Sequence, residues 1–273
     1  MSRMQCPEGL KRPARRYLRT PVEGLESRVL LSTFSNADLN GSLTLRSMGA
    51  SGIAVTDGNG NFVGGSVTDD QGIVSTPSGS YAVAANGAFS IPGSAMITGA
   101  VNSSKNVVAF SGQSENSLGV FINSGSAVFS DADLDGTWYL FDNGDSGPPD
   151  NFPTSDADNT GHATVIFDGQ GGFTYTHSDD ESGNSETGTG TYTVSPDGSV
   201  SVVVTTSSGN GNNLPSFSGE MNSSKDVVGM DLADLPAAAS TDDSRLVVMV
   251  QPSGLYSDAD VQGAWTLSTD SGQ

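Results

Sequence analysis

Apolar residues in this chain recur at every second position over short stretches, and the stretches break at Asp-Gly or Asn-Gly pairs rather than running on at helical spacing. Phe173, Tyr175 and His177 alternate with Thr174 and Thr176, which places the first three on one face of a strand and the threonines on the other. Cutting at the hairpin signals predicts eight strands, near 136–142, 162–168, 172–178, 190–195, 199–206, 216–222, 226–231 and 245–250. With no crossover helix between them, the expectation is all-β: an antiparallel up-and-down meander closed into a barrel, since closure removes exposed edges. A two-sheet β-sandwich is the alternative.

The same unit occurs more than once. Phe34-Ser35-Asn36-Ala37-Asp38-Leu39-Asn40-Gly41 returns as Phe129-Ser130-Asp131-Ala132-Asp133-Leu134-Asp135-Gly136 and again as Tyr256-Ser257-Asp258-Ala259-Asp260-Val261-Gln262-Gly263. Asn102-Ser103-Ser104-Lys105 returns as Asn222-Ser223-Ser224-Lys225, and Asp57-Gly58 with Phe62 returns as Asp168-Gly169 with Phe173. The predicted organisation is a basic N-terminal segment, 1–33, then tandem eight-stranded barrel units at 34–128 and 129–255, and the first strand of a further, incomplete unit at 256–273.

Charge sharpens this division. Residues 1–33 hold seven basic and three acidic residues, leaving four basic and 28 acidic for the remainder of a chain whose net charge is −20. So negative a body repels nucleic acid and anionic headgroups, which makes both poor partners for the folded part, and no nucleic-acid partner is expected. Cys6 is the only cysteine, so the body has no disulfide. No apolar run is long enough for a membrane span, and the basic segment lacks the apolar centre of a standard signal peptide.

Within that segment, Gly24-Leu25-Glu26-Ser27-Arg28-Val29-Leu30-Leu31-Ser32 resembles the LEPR-XLL segment of planctomycete exported proteins, with Ser27 where the family pattern has Pro. The resemblance implies an extracellular or cell-surface protein built from β modules, and carries no particular enzymatic activity with it. A disordered basic tail or an organellar transit segment is the other reading of these residues.

Leu134-Asp135-Gly136-Thr137-Trp138-Tyr139 resembles the lipocalin-type Gly-x-Trp opening, in which a Trp on the first strand packs beneath an Arg from the last. The resemblance implies a lipocalin-like barrel with Trp138 against Arg245; the first unit has Leu43 and Ser117 at the corresponding places. Candidate lumen, and hence ligand-binding, residues are Trp138, Phe173, Tyr175 and Arg245.

Other patterns carry less chemistry. Asp131, Asp133 and Asp135 before Gly136 match the first half of a calcium loop, but Asp142 stands where the closing Glu belongs, so a turn is the preferred reading and calcium the only cofactor considered. Gly144-Asp145-Ser146-Gly147-Pro148 looks like a serine-protease nucleophile segment, yet both histidines, His162 and His177, lie downstream, and it reads as a surface loop. If Phe167 faces Phe173, His177 pairs with Ala163 and the two imidazoles point to opposite faces. Asp179, Asp180, Glu181 and Glu186 read as a solvated loop cluster, and Asn102-Ser103-Ser104 as a turn rather than a glycan site.

With no converging acid, base and nucleophile, the expectation is a non-enzymatic structural or adhesion protein whose partners are cell-surface or matrix components. A carrier of small apolar ligands is the first alternative, marked by an open lumen. An extracellular hydrolase is the second.

Overall fold

A computed structural model describes residues 33–69, 72–93, 97–112, 118–146, 158–179, 183–209, 214, 216–232 and 243–252. The LEPR-XLL-like stretch, Ser117, Asp180, Glu181 and the segment 256–273 lie outside them. Among the described residues there is no helix long and apolar enough to cross a membrane.

The strands β11 (Gly136–Ser146), β12 (Asp158–Phe167), β13 (Gly172–Asp179), β14 (Ser185–Val194), β15 (Ser199–Gly209), β16 (Phe217–Met221), β17 (Val227–Leu232) and β18 (Asp243–Val250) close in chain order into an antiparallel barrel. One continuous ring replaces the sandwich alternative. The hairpin at Asp168 shows how local chemistry sets the register. Asp168 Oδ1 accepts the N–H groups of Gln170 and Gly172 at 2.8 and 2.9 Å, Gly169 and Gly171 adopt positive φ, and Phe167 is thereby placed opposite Phe173. Ala163 consequently faces His177, as the register argument expects. His177 points inward and His162 outward.

In the first unit, β1 (Gly41–Ser47), β2 (Ala50–Thr56), β3 (Asn61–Asp69), β4 (Val74–Ser75), β5 (Gly79–Ser80), β6 (Ala82–Val83), β7 (Ala88–Ile91), β8 (Ile97–Val101), β9 (Val107–Ser111) and β10 (Gly119–Ile122) make one curled sheet. Its order is β4-β3-β2-β1-β10-β9-β8-β7-β6, with β5 also on β3. The eight-stranded barrel expected for this unit is therefore present only as a curled, half-barrel meander, because its fourth strand is broken into short pieces instead of forming a full stave. The stretch 79–83 joins the two ends of the curl: Ser80 pairs with Asn61 of β3, and Ala82 pairs with Ser90 of β7.

Both units seat their first strand on the same device. Ser35 and Ser130 each cap a 3-10 turn, Asn36–Leu39 and Asp131–Leu134, by donating backbone N–H to Asp38 and Asp133 at 2.8 Å. Tyr81 and Tyr192 donate their hydroxyls to the carbonyls of Asn36 and Asp131 at 3.1 and 3.0 Å. Lys105 and Lys225 hold left-handed φ of 61° and 62°, a conformation costly for a residue with a Cβ. Each is offset by a tether: Nζ bonds Asp38 at 3.0 Å or Asp133 at 2.9 Å and lies over the ring of Phe34 or Phe129. Burial pushes the Asp38 carboxyl up, but Lys105 and the Ser35 N–H outweigh it and hold the group below its usual range. The Asn102 and Asn222 segments are turns, each Asn side chain accepting two backbone N–H groups at 2.9 to 3.0 Å.

The barrel of the second unit, called the second barrel below, is the closed one, and it is packed with side chains. Trp138, Leu140, Phe167, Phe217, Met221, Met230 and Met249 are fully buried, and Phe167 stands edge-on to Trp138 and Tyr192. The two units belong to one compact body. Met48, Val120 and Ile122 of the first pack with Leu246 of the second, and Asn106 Nδ2 donates to the hydroxyls of Ser223 and Ser224 at 3.0 and 2.7 Å.

Candidate functional site

Four polar side chains meet inside the second barrel: Asp142 on β11, Tyr175 and His177 on β13, and Glu186 on β14, with relative exposures of 5%, 3%, 4% and 2%. Strand β12 separates Asp142 from His177, and Gly161 makes their contact possible. A Cβ at that glycine would lie 2.5 Å from His177 Nε2 and 2.6 Å from Asp142 Oδ1, so any side chain there would part them. As built, Asp142 Oδ1 lies 3.5 Å from Nε2, and Glu186 Oε1 lies 3.8 Å from Nδ1. The imidazole is sandwiched between two carboxylates, yet neither ring nitrogen has a hydrogen bond among the described residues. Glu186 Oε1 also accepts the Tyr175 hydroxyl at 3.2 Å and the Leu214 N–H at 2.5 Å.

The group is buried, and its two carboxyl groups flank opposite ring nitrogens and so do not converge with the histidine on a common point. Burial, followed by the negative charge of Glu186 and its hydrogen bond, pushes the Tyr175 hydroxyl up to about 12. The sign of the consequence is fixed. Below pH 10 the folded and unfolded states both keep the proton. Between 10 and 12 only the unfolded state loses it, so stability falls by roughly 2–3 kcal/mol over that window. A spectrophotometric alkaline titration is expected to show a late phenolate that Tyr175→Phe removes. A Tyr175→Phe trace superimposable on the parent would contradict the burial of this hydroxyl beside Glu186.

The residues singled out by sequence fare unequally. Trp138, Phe173 and Tyr175 all face the lumen, where they are part of a filled core. The register does not set Arg245 across from Trp138. Arg245 pairs with Gly144, whereas Val250 pairs with Tyr139 next to the tryptophan, so about six residues of strand, roughly 20 Å, separate them. The indole Nε1–H is satisfied instead by the Leu134 carbonyl at 2.9 Å.

Asp131, Asp133 and Asp135 do not gather around one point. Asp131 accepts the Val194 N–H at 2.7 Å, and Asp133 is divided between Ser130 and Lys225. Asp135 is the residue that ends the 3-10 turn, with its N–H bonded to Ala132 O. Asn36 performs the Asp131 role in the first unit, accepting the Val83 N–H at 2.7 Å without a carboxylate. The turn reading describes these residues.

Two loop assignments are corrected. Gly144, Asp145 and Ser146 form the end of β11, all three paired with β18 and the first two also with β12, while Gly147 and Pro148 lie outside the described residues. Glu186 belongs not to a solvated loop but to the barrel interior. Its signal was present in the sequence: Glu186, Gly188, Gly190, Tyr192 and Val194 share one parity, and the last two are plainly apolar-facing.

The outer face of β12 to β15 carries a second feature, unremarked by motif. Thr164, Thr176, Thr187 and Ser208 lie in one line across the four strands, and Ile166, Thr174, Thr189 and Thr206 lie in the next. Within these lines Thr189 and Thr206 share a hydroxyl contact of 2.8 Å, and Thr187 and Ser208 one of 3.3 Å. A concavity of about 370 Å³ runs over them. Its physical origin is on the opposite side of β14: Gly188 and Gly190 face inward and have the rings of Tyr175 and Phe173 where side chains would be, with hypothetical Cβ contacts of 2.5 and 2.3 Å. The strand can therefore sit down on those rings, and a bulge between Thr189 and Gly190 bends it further.

Comparison of the chain with protein-family models, curated proteins and solved structures finds no match. The functional reading rests on the geometry and chemistry above.

Proposed function

We propose that this is an exported, non-enzymatic surface or extracellular protein whose tandem β units act as rigid spacer and adhesion modules. The observation that carries the reading is the solid interior of the second barrel. Trp138, Phe167, Phe217, Met221, Met230 and Met249 occupy the volume that a carrier would leave to its ligand, and they interlock across the ring. Such a barrel offers partners its outside. The doubled turn-and-tether device of Lys105 and Lys225, on matching sequence segments, supports a tandem arrangement of modules. The polar contacts between the units support a fixed spacing. Export is supported by the LEPR-XLL-like stretch, and its partners by the strong negative charge, which favours neutral or cationic surroundings.

On this reading the buried Asp142–His177–Glu186 group is structural: its side chains are packed inside the wall, and the hydroxyl that meets it, that of Tyr175, is as buried as they are.

Native mass spectrometry of the full chain, before and after incubation with oleate and retinol, tests the reading. The expected result is the bare protein mass throughout and no rise in melting temperature. A stoichiometric organic adduct, accompanied by a change in tryptophan fluorescence, would replace the spacer with a carrier.

A further inference from the structure

We propose that the indented threonine face of β12 to β15, with Tyr139 and Phe141 of β11 at its side, is a binding site for a neutral, hydroxyl-rich polysaccharide. The inference rests on the adhesion reading and gives it a ligand class.

Charge makes the first selection. In a protein of net charge −20, the residues lining this concavity include no Asp, Glu, Lys or Arg. An ionic ligand would find no counter-charge there, and a purely apolar one would have to strip water from a dense set of hydroxyls. What fits is a ligand that offers C–H faces and hydroxyls in alternation, as a sugar does, against the methyl and hydroxyl of each threonine.

Spacing makes the second. Each line of residues crosses the strands at the inter-strand repeat of about 4.8 Å, a step comparable to one ring of an extended β-linked glycan. A chain laid perpendicular to the strands would therefore meet a hydroxyl at every ring. The concavity matters here because an ordinary barrel wall is convex, and only the Gly188 and Gly190 collapse onto Tyr175 and Phe173 lets several strands touch one ligand.

Aromatic exposure makes the third. Tyr139 pairs with Thr164 and so continues the first threonine line onto β11, while Phe141 pairs with His162 in the line beside it. Both rings face solvent, at 45% and 55% exposure, in a barrel that buries its other described phenylalanines. Exposed rings at the end of a hydroxyl array supply the flat apolar platform against which sugar C–H faces stack, and their rigidity limits the entropy lost on binding. In the first unit, β3 carries Val63 and Gly65 where β13 has Thr174 and Thr176, so the site is confined to the second barrel.

Affinity electrophoresis of the full chain through native gels containing hydroxyethylcellulose, xyloglucan or galactomannan tests this, with polygalacturonate as the acidic comparison. Retardation by at least one neutral polymer is expected, and not by polygalacturonate. Tyr139→Ala/Phe141→Ala should weaken it by about tenfold, and Thr176→Val/Thr187→Val by several-fold, with melting temperatures unchanged because all four side chains lie on the outer face. The proposal is overturned by unchanged mobility in every neutral gel, by retardation equal in the parent and both variants, or by retardation in polygalacturonate alone. It is also overturned if sedimentation shows a dimer that Thr176→Arg dissolves, since the face would then be occupied by a second copy. None of these failures would touch the spacer reading, which stands or falls on retention of an apolar adduct inside the barrel.

Discussion

Glu186→Ala is expected to destabilise the second barrel by about 3–5 kcal/mol, the range for removing one member of a buried charged group. The size follows from what the carboxylate holds. Its loss leaves the Leu214 N–H and the Tyr175 hydroxyl without their acceptor, and it removes one of the two negative charges beside His177. Glu186→Gln keeps an acceptor oxygen and should cost about 1–2 kcal/mol. The informative comparison is the concerted replacement Asp142→Leu, Tyr175→Phe, His177→Leu and Glu186→Met. If the group is only a structural insertion in the wall, removing all of its polarity together should be less damaging than Glu186→Ala alone, because no desolvated charge is left behind. Urea midpoints at constant slope measure both. A quadruple variant that falls below Glu186→Ala would mean that the polar set contributes net stability, and that the desolvation argument fails for this site.

The second large effect concerns the floor. Trp138→Ala should cost about 3–5 kcal/mol, as truncations of fully buried large aromatics do. The indole fills the base of the ring, stands edge-on to Phe167 and donates to Leu134 O, so its removal opens a cavity and strands a buried carbonyl. Trp138→Phe should recover part of the loss. Chemical denaturation followed by circular dichroism is the check, and a Trp138→Ala cost below 1 kcal/mol would show that the floor does not depend on the ring.

The parts of the fold legible in the sequence are those fixed by neighbours in the chain. Asp168-Gly169 and Asp197-Gly198 are short-range devices, so the strands around them, the pairing of Phe167 with Phe173 and the opposite faces of His162 and His177 followed directly. Trp138 against Arg245 required the register between the first and last strands of the ring. That register is set by the shear of the closed barrel and by no local turn, and it places Arg245 at Gly144. Glu186 was obscured for a different reason. The first half of β14 is Ser, Glu, Gly and Thr, a loop-like composition that becomes a strand only because the rings of Phe173 and Tyr175 lie beneath its glycines. The first unit hides its own irregularity similarly, since Gly79-Ser80 and Ala82-Val83 together do the work of one stave while carrying little apolar alternation.

That divided stave has a consequence under tension. The stretch 79–83 is held by two residue pairs on each side, Asn61 with Ser80 and Phe62 with Gly79, then Ala82 with Ser90 and Val83 with Phe89. In the second ring the shortest seam, between β15 and β16, has four pairs. The first unit is therefore expected to yield before its neighbour when the chain is stretched, and single-molecule pulling that shows the second unit opening first would contradict this.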